Sequence, residues 1–136
     1  MRRMTPALLV LAAVVLTGCG PTTEEVASMV AAGSAKTYDD ALALREDILA
    51  AGLPCPGTDQ LLVPDENGTA YLECDYDIPG MVVTNTEEDL QHFLELRQGA
   101  DLLPVLHGRN WMIIARTEAP LQQLQDELSG TILPAP

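Results

Sequence analysis

Leu102-Leu103-Pro104-Val105-Leu106-His107-Gly108-Arg109-Asn110-Trp111-Met112-Ile113-Ile114-Ala115 is the stretch on which the fold turns. Its last five residues, Trp111 to Ala115, are apolar at every position. A half-buried strand alternates apolar and polar residues, whereas one apolar throughout is covered on both faces. Residues 111–115 therefore predict the central strand of a sheet, covered on both faces or edged against an N-terminal tether. His107-Gly108-Arg109-Asn110 reads as a turn, and Leu102 to Leu106 as the strand before it.

Working outward, Pro120 falls in the first turn of a helix, where its missing N–H costs nothing. Leu121, Leu124 and Leu128 line one face of that helix, Gly130 ends it, and Thr131-Ile132-Leu133 reads as a last strand. On the other side, Thr86 caps a helix whose first turn carries Glu87, Glu88 and Asp89 against the positive end of its dipole. Leu90, Phe93, Leu94 and Arg97 repeat at helical spacing, and Gly99 stops it. Met81-Val82-Val83 is a short strand behind Pro79-Gly80. Tyr71 to Ile78 predicts a longer one, with Leu72, Cys74, Tyr76 and Ile78 on one face and Tyr71, Glu73, Asp75 and Asp77 on the other. Asp65-Glu66-Asn67-Gly68 is a tight turn back to the strand Gln60-Leu61-Leu62-Val63. Thr37 and Asp40 predict the N-terminal cap of a first helix over 38–51, with Gly52 and Leu53 closing it as a Schellman motif. The element order is α-ββ-β-α-ββ-α-β. It predicts an α+β domain, a small mostly antiparallel sheet with three helices packed mainly on one face.

The chain has 136 residues, room for a single domain. Seven Lys+Arg stand against 20 Asp+Glu, a formal charge of −13, which excludes a nucleic-acid-tracking protein. Hydrophobic residues make up 47%, enough for a core.

At the N-terminus, Arg2 and Arg3 precede an 11-residue apolar run from Pro6 to Leu16. A spanning helix needs roughly 18 or more such residues; a run this short fits the core of a signal peptide. It ends in Leu16-Thr17-Gly18-Cys19, which resembles the lipobox of bacterial lipoproteins. That resemblance implies cleavage between Gly18 and Cys19 by a lipoprotein signal peptidase, and a thioether-linked diacylglycerol on Cys19. It implies a protein held at the extracytoplasmic face of the cell membrane by acyl chains on Cys19, with lipoprotein-processing enzymes as its first partners. Removal of residues 1–18 takes Arg2 and Arg3 with it and moves the formal charge from −13 to −15. A chain this acidic is repelled by an anionic membrane, so the acyl chains must hold it there. The organisation expected is residues 1–18 as signal peptide, 19–36 as lipidated Cys19 and flexible tether, and 37–136 as one domain.

Ala-Ala-Gly-Leu-Pro-Cys over 50–55, a second Cys in a strand, Gly-Arg-Asn-Trp over 108–111 and Ser-Gly-Thr-Ile over 129–132 together look like small secreted actinobacterial lipoproteins. The resemblance spans about residues 37–133 and implies a fold and a location but no activity.

Cys55 and Cys74 remain once Cys19 is acylated, and outside the cytoplasm an even pair reads as a disulfide. Glu73, Asp75 and Asp77 would share one strand face; with Asp65 and Glu66 they are weighed as a Ca²⁺ site and read as a solvated face instead. His92 is expected to be exposed and His107 to sit in a turn, neither with a Ser or Cys nucleophile partner. No phosphate loop, zinc motif or catalytic carboxylate pair is present, so no catalytic residue, metal or cofactor is expected. Trp111 reads as a core anchor, or with Arg109 as an interface anchor. These features lead to a non-catalytic binding or shielding domain of the cell envelope. An inhibitor or phage-exclusion protein that blocks an envelope partner is the alternative, and an envelope enzyme the third class.

Overall fold

The computed structural model describes residues 35–62, 68–97 and 102–136. The expected signal peptide, Cys19, the expected tether up to residue 34, Asp65–Asn67 of the expected turn and the expected helix stop at Gly99 lie outside the described residues. The elements follow the expected order: α1 (Ala41–Ala50), β1 (Gln60–Leu62), β2 (Ala70–Glu73), β3 (Gly80–Val83), α2 (Glu87–Leu96), β4 (Val105–His107), β5 (Trp111–Ile114), α3 (Glu118–Leu128) and β6 (Thr131–Leu133). The six strands form one open antiparallel sheet in the order β1-β2-β3-β5-β4-β6. The fold is α+β.

β5 lies inside the sheet between β3 and β4. Its side chains alternate between two apolar layers, as its composition requires. Trp111 and Ile113 join Leu72, Met81, Val83 and Leu106 under α1 and α3, which contribute Leu44, Ile48, Leu121 and Leu124. Met112 joins Val82 and Val105 on the opposite face, under Leu90 of α2. Two helices thus cover one face and the third covers the other. The gain from burying each such side chain is on the order of 1.5–3 kcal/mol.

The first helix starts later than its sequence pattern implies. Asp40, not Thr37, is its N-cap, and the Asp40 carboxylate accepts the Ala43 amide at 2.7 Å. An acceptor at the cap satisfies an amide that has no intrahelical partner, and Asp40 sits where that amide points. The C-terminus forms the expected Schellman motif. Gly52 has φ +86°, and its N–H donates to Leu49 O, while the Leu53 N–H donates to Ile48 O. A residue with a side chain would be strained at that φ. Gln123 of α3 donates to Ala51 O at 2.7 Å and so joins the two helices of that layer. The second helix is capped as expected: the Thr86 hydroxyl accepts the Asp89 amide at 3.1 Å and donates to the Asp89 carboxylate at 2.6 Å.

Two expectations fail here. β2 ends at Glu73 rather than Ile78. Asp75 and Tyr76 have φ +68° and +57°, so the chain reverses through a turn before Gly80. Cys74 and Ile78 are buried, but Tyr76, expected on their face, is exposed. Glu73, Asp75 and Asp77 therefore do not share one strand face. The alternation was misleading because the turn restores Ile78 to the core after the strand has ended.

The domain boundary also moves. Ala35 and Lys36, expected in the tether, belong to the fold: Ala35 is buried in the core and Lys36 O accepts the Trp111 indole N–H at 2.8 Å. Tyr38 donates to the Asp47 carboxylate of α1 at 2.6 Å, and Lys36 pairs with the same oxygen at 3.0 Å. The Tyr38 hydrogen bond, with the Lys36 bond and charge, holds the Asp47 carboxyl below its ordinary range.

Cys55 and Cys74 form the expected disulfide, which fastens the segment after α1 to the end of β2. They are 19 residues apart, a loop whose closure in the unfolded chain is worth roughly 3 kcal/mol. Reduction, or the double change Cys55→Ala and Cys74→Ala, should lower the unfolding free energy by about that amount. Urea unfolding with and without reductant measures it, and intact mass showing two free thiols in the native protein would contradict it.

Candidate functional site

Gly108-Arg109-Asn110-Trp111 joins β4 to β5, and each of its residues has a distinct environment. Trp111 is wholly buried and meets Tyr38 edge to face, with ring centroids 5.9 Å apart. Gly108 lies against the indole; a Cβ there would come within 2.4 Å of the ring. The Gly108 N–H donates to Trp111 O at 3.0 Å.

Asn110 is buried and fully bonded. Its amide nitrogen donates to Tyr38 O at 2.7 Å and Thr84 O at 2.8 Å, and its amide oxygen accepts the Tyr38 N–H at 3.1 Å. Its own carbonyl accepts the Thr84 N–H at 2.8 Å. One side chain thereby ties the entry segment, the end of β3 and the β4–β5 turn. Sequence reasoning placed Asn110 in a turn and missed this role. Buried amides are retained where several backbone groups converge, and that convergence is long-range.

Trp111 is therefore a core residue, and its interface reading is overturned by its burial. Arg109 alone of the four is exposed. Its guanidinium stands 3.5 Å from Glu87 at the start of α2, with both side chains about half exposed. An ion pair so open to water is worth about 0–1 kcal/mol. Together with Thr37, Asp39, Asn85 and Asn110 these two line a polar cleft of about 310 Å³. It offers hydrogen-bond donors and acceptors, and neither histidine lines it.

A second cleft of about 260 Å³ lies at the edge of the sheet, beside β1. Asp59, Glu73 and Asp75 line it with Leu61, Gly57 and Thr58. Leu61 and Leu62 are 59% and 69% exposed. β1 is outermost; the Ala41 N–H of α1 donates to Gln60 Oε1 at 2.6 Å, and Leu61 and Leu62 beyond it stay open. Among the described residues no three acidic, His or Cys side chains converge as metal ligands. Asp65 and Glu66, the other members of the weighed calcium set, lie outside the described residues.

The two histidines are kept apart. His92 is exposed on α2, as expected. His107 is not in a turn: it is the last residue of β4 and is buried. Its Nδ1 lies 3.2 Å from Gly108 O, so it donates there, since a carbonyl only accepts. Burial, helped by the Arg97 charge and opposed by the Gly108 bond, pulls the imidazole below its usual value. The chain matches no protein-family model, and no curated protein or solved structure matches it.

Asn110→Ala should cost about 2–4 kcal/mol, because it leaves buried Tyr38 and Thr84 backbone groups unpaired. Arg109→Ala should stay within about 0.5 kcal/mol of the parent. Chemical denaturation of the two variants distinguishes a structural turn from a binding one.

A depressed histidine favours the folded state only while it is neutral. The contribution of His107 is whole above its ordinary value of 6.5 and is lost as pH falls from there toward the lower folded value. Between pH 7 and about 5, His107→Gln should lose less stability than the parent. Paired denaturation curves across that range provide the check; parallel losses would refute it.

Proposed function

We propose that this protein is a cell-envelope lipoprotein, anchored by acyl chains on Cys19 and presenting a non-catalytic binding domain outside the membrane. The cysteine arithmetic carries the reading. Of three cysteines, Cys55 and Cys74 are joined to each other, and the third is Cys19 of Leu16-Thr17-Gly18-Cys19. A disulfide points to an oxidising compartment, which requires export. The one thiol left outside the pair sits where an exported chain would be acylated. Among the described residues no helix is long and apolar enough to cross a membrane.

The domain supports binding better than catalysis. Its polar cleft holds an ion pair and amides rather than a nucleophile beside a base, and its histidines line neither cleft. The alternative, an inhibitor or exclusion protein that occludes an envelope partner, shares the anchor and needs an exposed apolar patch with an acidic rim. The Leu61 edge with Asp59, Glu73 and Asp75 favours it.

Cys19→Ser should shift the protein from the membrane to the soluble or culture fraction and abolish incorporation of labelled palmitate. Label that persists in the variant would reject the anchor at Cys19.

A further inference from the structure

β1 is the outermost strand, and among the described residues none lies beyond it. Soluble proteins blunt such edges with charges, proline or a covering helix, because unpaired main-chain groups recruit other strands. β1 itself carries Gln60-Leu61-Leu62, and Leu61 and Leu62 point to opposite faces, both well exposed. The other edge, β6, is packed against α3. Exposed apolar surface on both faces of one edge is a feature of a surface that pairs.

The surroundings select the partner. Leu61 shares its cleft with Asp59, Glu73 and Asp75, and no cationic side chain lines it. The described cations are committed elsewhere: Lys36 to Asp47, Arg45 to Glu46, Arg109 to Glu87, Arg97 to Leu103 O and Arg116 to Tyr76 O. Arg116 also fixes the turn that presents Asp75. Its N–H donates to Asp77 O at 2.9 Å and its side chain to Tyr76 O at 2.8 Å. Those bonds hold Asp75 and Tyr76 in the left-handed region, and Tyr76 stands 68% exposed beside the acidic cleft in the chain. A second copy on this edge would oppose the same carboxylates across the contact, on chains of charge −13 each. Like charges so placed repel.

We propose that the β1 edge is the docking site for an extended, cationic segment of an envelope protein, added to the sheet as a further strand. Its main chain bonds the open edge, its apolar side chains cover Leu61, and its Lys or Arg residues meet Asp59, Glu73 and Asp75. This rests on the reading of the domain as a binding module and is independent of acylation at Cys19.

The full chain in detergent is titrated with a labelled peptide of alternating Lys and Leu, followed by fluorescence anisotropy and by hydrogen exchange at residues 60–62. Saturable binding that protects those amides is expected. Raising salt from about 0.1 M to about 1 M shortens the screening length from about 10 Å to about 3 Å and should weaken it. The triple change Asp59→Asn, Glu73→Gln, Asp75→Asn should weaken binding at least about tenfold, the equivalent of about 1.4 kcal/mol. N-methylation of alternate peptide residues, which removes edge bonds without touching the protein, should do the same. Asp126→Asn with Glu127→Gln, exposed on α3 and lining neither cleft, should change nothing. Absence of saturable binding, or binding indifferent to the triple change or to N-methylation, would overturn the proposal. So would sedimentation showing a dimer that Leu61→Lys dissolves, since a second copy is then the occupant. A rise in peptide affinity on deletion of residues 20–34 would assign the edge to the chain's own N-terminal segment instead. None of these results bears on release by Cys19→Ser, so the two readings fail separately.

Discussion

The indole of Trp111 and the amide of Asn110 hold the entering chain onto the central strand, and the rest of the domain is arranged around that grip. Trp111 is the first residue of β5 and is completely buried. It bonds Lys36 O and packs against Tyr38, while the adjacent Asn110 bonds both backbone groups of Tyr38. Tyr38 in turn bonds Asp47 and so positions α1 over the sheet. A single turn therefore couples the N-terminal segment, the first helix and the middle of the sheet. Loss of a buried amide in such a network costs more than one hydrogen bond, because its partners stay buried and unpaired.

That arrangement divides the molecule by chemistry. Around Asn110 the chain is closed by internal bonds, and of the exposed charges there Arg109 pairs with Glu87. The β1 end is stapled by Cys55–Cys74 but left open at its edge, with apolar side chains and unneutralised carboxylates together. The disulfide holds the chain leading to β1 against the end of β2, and both its cysteines are buried in the core. An edge that must remain open to a partner cannot be stabilised by covering it, and a covalent staple beside it serves without occupying the surface.

Legibility followed range. The N-cap of α2, the Schellman end of α1 and the placement of Pro120 depend on residues a few positions apart, and all were readable. So was β5, since an unbroken apolar strand has no solvent side. The cap of α1 shifted from Thr37 to Asp40 because Thr37 belongs to the entering segment that Trp111 and Asn110 hold. Tyr76 and His107 were misplaced for a common reason: a turn or strand end is set by contacts across the sheet, such as Arg116 to Tyr76 O, that no local pattern records.

By itself the sequence determined the order and kind of the described elements, the α+β class and the pair of cysteines that bond, because periodicity, capping and composition act over short distances. It also carries Leu16-Thr17-Gly18-Cys19, a linear stretch that resembles a lipobox. Tertiary structure decided which apolar residues stay outside. Leu61 and Leu62 are as apolar as Leu106 and Ile113; they are exposed because their strand ends the sheet. Tertiary structure likewise made Asn110 a hub and gathered Asp59, Glu73 and Asp75 around one leucine. Position within a sheet is a property of strand order, and strand order is set by the sum of long-range packing rather than by any one segment.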